Sequence, residues 1–224
     1  MNPINSVRPS PIAGSWYSAD RNKLSQEIKG YLNDARLPAL KGRLIGLIAP
    51  HAGYFYSGPT AGYAYAAVAG MHFDTCVVAS PLHDYLPHPL LTSAHEAYAT
   101  PLGRVEISQD LLADYSNQLA LSSVTALQPI SNDREHSLEI QLPFLQTALT
   151  GGFQLLPLMV RSNDPRLLQA CADALAGILR GKNALLVAST DLSHFFNEST
   201  ANSLDGVMLK RMTDFSPVGV LQAE

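Results

Sequence analysis

Four short, continuous apolar runs constrain the fold of this chain more than any other feature. They lie at residues 44–49, 75–79, 155–160 and 184–188. Strands covered by helices on both faces are continuously hydrophobic, whereas half-exposed strands alternate. The runs therefore predict buried strands of one mostly parallel sheet. Pro157 predicts an edge or irregular position for the third run, because proline cannot donate to a sheet ladder.

Helical patterns fill the intervals between the runs. Apolar residues recur at helical spacing over residues 24–32, after Ser18 and Asp20, either of which could cap a helix. Further helices are predicted to open at Ser57–Pro59, to run over residues 135–149 with a kink at Pro143, to run from Asp164 to Gly181, and to cover residues 199–212. This alternation predicts one α/β domain over residues 1–224, with helices on both faces of the sheet.

The composition excludes several classes of protein. Hydrophobic residues make up 46% of the 224 residues, too many for a disordered chain. The net charge of −4 argues against nucleic-acid binding, which needs a basic footprint. Charged residues make up 15%, against a usual ~25%, and this deficit indicates either self-association, as in a homo-oligomer, or an extensive interior.

No feature of the sequence indicates export or a membrane span. The first eight residues lack the apolar core of a signal peptide, and the longest apolar stretch, residues 61–71, is too short to cross a bilayer. Cys76 and Cys171 both lie in apolar stretches, where buried structural thiols are usual. We therefore expect a cytoplasmic protein that does not bind membranes.

Three of the seven histidines follow the predicted strands. His51 follows the first run after Pro50, His83 follows the second run and His194 follows the fourth. The carboxyl ends of the strands in an open α/β sheet form the ligand-binding crevice, so these side chains are expected to converge.

Neutral imidazoles are common ligands of iron, copper and zinc. His51 and His83 form the best ligand pair, because each leaves its strand through a short turn that contains proline. His194 lies further from its strand and close to Asp191, which suits a general acid or base oriented by a carboxylate.

The pair Glu135 and His136 has two interpretations. Both side chains could reach the crevice. Alternatively, Glu135 stabilises the positive N-terminus of the predicted helix and His136 is partly exposed.

Five ordered motifs resemble those of the Memo-like family. They are AGSWY at residues 13–17, PHAGY at 50–54, YATPLG at 98–103, EHSLE at 135–139 and STDLSH at 189–194. The resemblance implies a fold similar to class III extradiol dioxygenases and a metal site that binds Fe(II) or copper. It implies His51 and His83 as ligands, His194 as acid or base, and a pocket lined by Trp16, with Tyr54 expected to border it.

The resemblance also implies partners. Prokaryotic members, known as AmmeMemoRadiSam system protein B, often occur beside a radical-SAM protein and an AMMECR-domain protein. The eukaryotic relatives are linked to phosphotyrosine peptides and to redox chemistry that depends on copper or iron.

Two departures from the family pattern affect the metal site. SPLH stands at residues 80–83 where the family usually has GPSH, and the family's third ligand, a cysteine in a C-terminal Cys-Gly motif, has no counterpart here. We expect that the chain lacks the family's C-terminal segment. Glu135 or His194 could substitute as the third ligand. Without a substitute, the chain is predicted to be metal-free.

Three functions are consistent with these features. The first is a non-haem iron or copper redox enzyme that acts on a small molecule. The second, from a different class, is a binding module for peptides or proteins that retains a vestigial pocket. Metal-dependent hydrolysis is the weakest, because His95–Glu96 lacks the second histidine of a zincin motif and no other metal-hydrolase motif is present.

Overall fold

A computed structural model describes residues 6–223, which fall into two compact units that meet in sequence between Thr190 and Asp191. Residues 1–5, on which part of the signal-peptide prediction rests, lie outside the described residues. The elements of the first unit are β1 (Val7–Arg8), α1 (Arg21–Asp34), β2 (Gly46–Ala49), α2 (Tyr54–Ala66), β3 (Thr75–Ser80), β4 (Leu90–Ser93), β5 (Ala97–Thr100), β6 (Gly103–Glu106), α3 (Gln109–Ser122), β7 (Gln128–Ile130), a 3-10 turn (Glu139–Gln141), α4 (Leu142–Ala148), β8 (Gln154–Val160), α5 (Pro165–Leu179) and β9 (Ala184–Ser189).

The four apolar runs form neighbouring strands of one six-stranded sheet. Its order is β2-β9-β3-β8-β4-β7, and all of its pairs are parallel except β4 with β8. A separate three-stranded sheet has the order β1-β5-β6. The predicted α/β class with a mostly parallel sheet is confirmed.

Helices cover both faces of this sheet, as predicted. Cys76 and Val78 of β3 point into a core shared with α1, α2 and α4. Val77, between them, points into a second core shared with α3 and α5. Alternate residues of one strand thus enter opposite cores, which explains the continuous hydrophobicity of the run.

The two strands at one end of the sheet, β2 and β9, depart from that pattern. Burial alternates along β2 and β9, and Ile48 and Leu186 are exposed. These two strands are therefore covered on one face, although their sequences are as apolar as that of β3.

The sequence predicts an edge or an irregular position for the strand that contains Pro157, and the edge position is wrong because β8 lies inside the sheet. Pro157 is inside β8, paired with Val78 of β3. The ladder on the other side of β8 pairs Met159 and Val160 with β4 and stops before Pro157. The missing N–H is tolerated because the ladder is interrupted there.

Two predicted helices begin elsewhere. α2 starts at Tyr54, so Pro59 lies inside it and does not open it. The predicted helix over residues 135–149 is a 3-10 turn followed by α4, and Pro143 occupies the first turn of α4 without kinking it. Proline fits there because the first N–H groups of a helix have no intrahelical partner. The segment that carries Glu135 and His136 consequently precedes the helix.

The second unit, from Asp191, contains α6 (Glu198–Thr213) and α7 (Pro217–Ala223). Asn197 caps α6 by accepting a hydrogen bond from the Thr200 N–H, and Lys210 and Arg211 complement the helix dipole in its last turn. Among residues 6–223, no helix has the length and apolar character that a membrane span requires.

Gly62 allows α2 to pack closely against α1, and alanine there should be destabilising. A Cβ atom at this position would lie 2.7 Å from the carbonyl oxygen of Tyr31 and 2.8 Å from its Cβ. We expect Gly62→Ala to lower the free energy of unfolding by about 1–3 kcal/mol in urea denaturation, as overpacking does. Gly30→Ala is the matched control, because a Cβ on Gly30 meets nothing within 4 Å. It should stabilise α1 by about 0.5–1 kcal/mol, and equal effects of the two substitutions would contradict the packing argument.

Candidate metal site

Three imidazoles lie together near the carboxyl end of the parallel sheet. His51 follows β2 and His83 follows β3, while His136 lies in the segment between β7 and the 3-10 turn. One ring nitrogen of each lies within 4.8 Å of those of the other two. The ring centroids of His51 and His83 are 5.4 Å apart, and those of His83 and His136 are 4.5 Å apart.

The topology brings His51 and His83 to one edge of the sheet. β9 lies between β2 and β3 and runs parallel to both, so the three strands end on the same side. The last residue of β9, Ser189, lies between the two histidine-bearing ends, and its hydroxyl oxygen is 3.2 Å from Nδ1 of His51.

Glu135 holds the exposed edge of the cluster in place. Its carboxylate accepts hydrogen bonds from the backbone N–H groups of His83 (2.6 Å), His136 (2.9 Å) and Ser137 (2.7 Å), and it lies 3.0 Å from Nδ1 of His83. Burial acts to raise the pKa of Glu135, but the hydrogen bonds from Ser137 and His83 outweigh it and lower the pKa to about 2. The carboxylate is therefore ionised, and Nδ1 of His83 donates to it.

This contact fixes the tautomer of His83. With the proton on Nδ1, the lone pair is on Nε2, which is the nitrogen that can coordinate a metal. A histidine ligand whose other ring N–H donates to a carboxylate is the usual arrangement in metal sites. The side chain of His83 is 51% exposed, so the cluster is open to solvent on this side.

Arg8 holds the segment that carries Glu135 and His136. Its guanidinium is 1% exposed and donates to Asp133 (2.7 Å), to Glu139 (2.6 Å) and to the carbonyl oxygen of Glu135 (2.7 Å). The same group lies over the ring of Tyr98. One buried cation thus ties residues 133–139 to the N-terminal segment.

Comparison with known proteins shows the family to which the chain belongs. The model of the Memo-like protein family matches residues 8–223. The chain belongs to the Memo-like family. It is similar to MEMO1 family proteins of Thermotoga neapolitana (30% identical, covering 91% of this chain and 76% of that protein) and Methanothermobacter thermautotrophicus (30%, 96% and 79%). A MEMO1 family protein of Nitrosopumilus maritimus is 29% identical over 91% of this chain and 74% of its own length.

The Memo-like motif AGSWY supplies one wall of the histidine cluster. The ring of Trp16 lies 4.0 Å from that of His136, centroid to centroid. Tyr54 is placed differently from its expected position at the pocket. Its ring packs in the core against Tyr17 and Phe144, and its hydroxyl donates to the carbonyl oxygen of Ile140. Its backbone N–H donates to the carbonyl oxygen of Trp16, so Tyr54 supports that wall.

The third imidazole of the cluster in this Memo-like chain is His136, which the sequence assigns to the pocket but not to the metal ligands. Glu135 is one of the two substitutes expected for the family's cysteine. Its oxygens accept hydrogen bonds from the N–H groups of three residues, two of which carry imidazoles of the cluster. The alternative that Glu135 stabilises a helix N-terminus does not hold, because no helix begins there. The available signal was the adjacency of His136 to a carboxylate inside a family motif.

His194 and Asp191 lie in the second unit. Nε2 of His194 is 3.2 Å from the carboxylate of Asp191, so the expected contact between acid or base and orienting carboxylate is present. Their part in a reaction stays a prediction.

The donor set fits a metal ion. The ring nitrogens lie within 4.8 Å of one another, and two ligands at about 2.1 Å from one ion are at most about 4.2 Å apart, so a small approach of the side chains would let them share an ion. Three imidazoles suit iron, copper or zinc and disfavour magnesium or calcium, which prefer oxygen ligands.

Proposed function

We propose that this Memo-like chain is a metal-dependent redox enzyme whose non-haem iron or copper ion is held by His51, His83 and His136. The observation that carries the proposal is the convergence of these three imidazoles beside one ionised carboxylate. When bound, the metal would supply an electron-transfer centre and a coordination position for a small-molecule substrate or dioxygen.

The protein's own residues would prepare the site in three ways. Glu135 holds His83 and the backbone of His136 at fixed distances, which lowers the reorganisation that metal binding requires. Trp16 covers His136 with an apolar ring and limits the access of water to that ligand. The exposed side of His83 leaves a path for substrate.

Metal titration tests the ligand set. Metal-free protein, titrated anaerobically with Fe(II) and separately with Cu(II) and Zn(II), should bind about one ion per chain. His51→Ala, His83→Ala and His136→Ala should each weaken binding by more than the roughly 10- to 100-fold that loss of an outer-shell partner costs. Calorimetry and elemental analysis after desalting measure this. Oxygen uptake by the loaded protein with aromatic diols then tests for redox turnover, which His83→Ala should abolish.

His88→Ala is the control for these substitutions. His88 is exposed and lies outside the three-histidine group, so its removal should leave metal affinity unchanged. Full affinity in His136→Ala would exclude His136 as a ligand. Absence of metal binding in the unsubstituted protein would overturn the proposed function.

A second candidate, a module that binds peptides or proteins, is favoured by two exposed aromatic side chains. Phe55 and Tyr56 follow His51 closely in the first turn of α2, are 85% and 79% exposed, and have ring centroids 5.1 Å apart. Peptide binding by metal-free protein that is lost in Phe55→Ala, together with no oxygen uptake after metal loading, would favour this function over the first.

A further inference from the structure

A buried hydrogen-bond chain leads from the core to His51. The hydroxyl of Tyr65 donates to Oε1 of Gln141 (2.7 Å), and Nε2 of Gln141 donates to the hydroxyl oxygen of Ser189 (2.8 Å). The Ser189 hydroxyl in turn donates to the carbonyl oxygen of Ser137 (2.6 Å). Tyr65, Gln141 and Ser189 are all buried.

The orientation of the Gln141 amide is determined by its neighbours. Its Nε2 also lies 2.9 Å from the carbonyl oxygen of Pro50, which can only accept a hydrogen bond. A flipped amide would place its oxygen against that carbonyl. Gln141 therefore donates to Ser189, and Ser189 accepts from it.

The single proton of the Ser189 hydroxyl is also assigned. A carbonyl oxygen cannot donate, so the short contact with Ser137 uses the hydroxyl proton. The Ser189 oxygen has no proton left for His51, whose Nδ1 is 3.2 Å away. Nδ1 of His51 must then carry the proton of that contact.

We propose that Ser189 is a positioning residue that keeps a proton on Nδ1 of His51 and so presents Nε2 to the metal. The part that concerns the metal rests on the proposed function, whereas the position of the proton does not. The hydroxyl oxygen of Ser189 accepts a hydrogen bond from Nδ1 of His51, as the carboxylate of Glu135 does from Nδ1 of His83. Ser189 and Glu135 thereby hold the two imidazoles in the same tautomer.

Nitrogen NMR of the metal-free protein tests the proton position directly. In protein labelled with ¹⁵N-histidine, two-bond ¹H–¹⁵N correlation spectra distinguish protonated from unprotonated ring nitrogens. The pH is set about two units above the usual imidazole pKa of about 6.5. His51→Asn identifies the signals of His51 by their loss. A protonated Nδ1 is expected, and an unprotonated Nδ1 in the unsubstituted protein would overturn the proposal.

Two variants distinguish a role of Ser189 in positioning the proton of His51 from a purely structural role of the buried hydrogen-bond chain. Ser189→Ala should allow the proton to move to Nε2 of His51 and should weaken Zn(II) binding about 10- to 100-fold. Tyr65→Phe removes a hydroxyl from the same buried chain but leaves Gln141 fixed by Pro50, so His51 should keep its tautomer and its Zn(II) affinity. An unchanged His51 spectrum in Ser189→Ala would overturn the role of Ser189, as would equal losses of affinity in both variants. A protonated Nδ1 in a protein that binds no Zn(II) would support the proton assignment and overturn the proposed function.

Discussion

Replacing Arg8 by methionine should lower the free energy of unfolding by about 3–5 kcal/mol, which is the usual cost of removing one partner from a buried ion pair. Arg8 is 1% exposed, and its partners Asp133 and Glu139 are 5% and 0% exposed in their side chains. Methionine retains much of the volume but leaves two buried carboxylates without a counter-charge. Urea denaturation of the metal-free protein, followed by circular dichroism, measures the loss.

An exposed ion pair provides the control. Arg104 and Glu106 are about half exposed, so Arg104→Met should cost no more than about 1 kcal/mol.

The difference in free energy of unfolding between Arg8→Met and the unsubstituted protein should also shrink as the pH is lowered. An unpaired buried carboxylate has a raised pKa in the folded state, so folding takes up protons and the variant gains stability towards acid. A loss of less than about 1 kcal/mol at neutral pH would show that the ion pairs of Arg8 do not stabilise the fold.

Replacing Glu135 by glutamine should reduce both metal affinity and stability. Glutamine keeps one acceptor oxygen and introduces an NH₂ group that faces backbone N–H donors, so at least one donor among His83, His136 and Ser137 loses its partner. Each buried donor left unsatisfied costs about 1–3 kcal/mol. Because His83 also loses its ionised partner, metal affinity should fall about 10- to 100-fold. Calorimetric Zn(II) titration and urea denaturation measure the two effects.

Glu27→Gln is the matched control for Glu135→Gln. Glu27 accepts one hydrogen bond, from the hydroxyl of Tyr31, and glutamine can still accept it. This variant should bind Zn(II) as the unsubstituted protein does. Unchanged Zn(II) affinity in Glu135→Gln would exclude Glu135 as the residue that orients the ligands.

The strands β3 and β8 could be predicted from the sequence because their apolar side chains alternate between two cores. β3 is the clearest case, since Cys76, Val77 and Val78 alternate between the cores and all must be apolar. The edge strand β7 (Gln128–Ile130) could not be predicted, because three residues that include a proline carry no pattern of hydrophobicity. Its place in the sheet depends on β4, which is also short.

The site was predictable where it depends on strand ends and unpredictable where it depends on long-range contacts. His51 and His83 follow strands that lie close together in a parallel sheet. The position of His136 is set by Glu135 and by Arg8, which lies far from it in sequence. The leucine spacing of residues 138–149 predicts a helix that starts too early, because local periodicity contains no information about the contact between Arg8 and Asp133.

The contacts that build the histidine cluster have a consequence for how the protein is made. Arg8 and Asp133 are 125 residues apart in sequence, and His51 and Ser189 are 138 apart. A chain emerges from the ribosome with its N-terminus first, and contacts of such long sequence separation form late and slowly. His51 and His83 therefore emerge well before the residues that orient them. A nascent chain that ends before Ser189 lacks the hydroxyl group that contacts Nδ1 of His51.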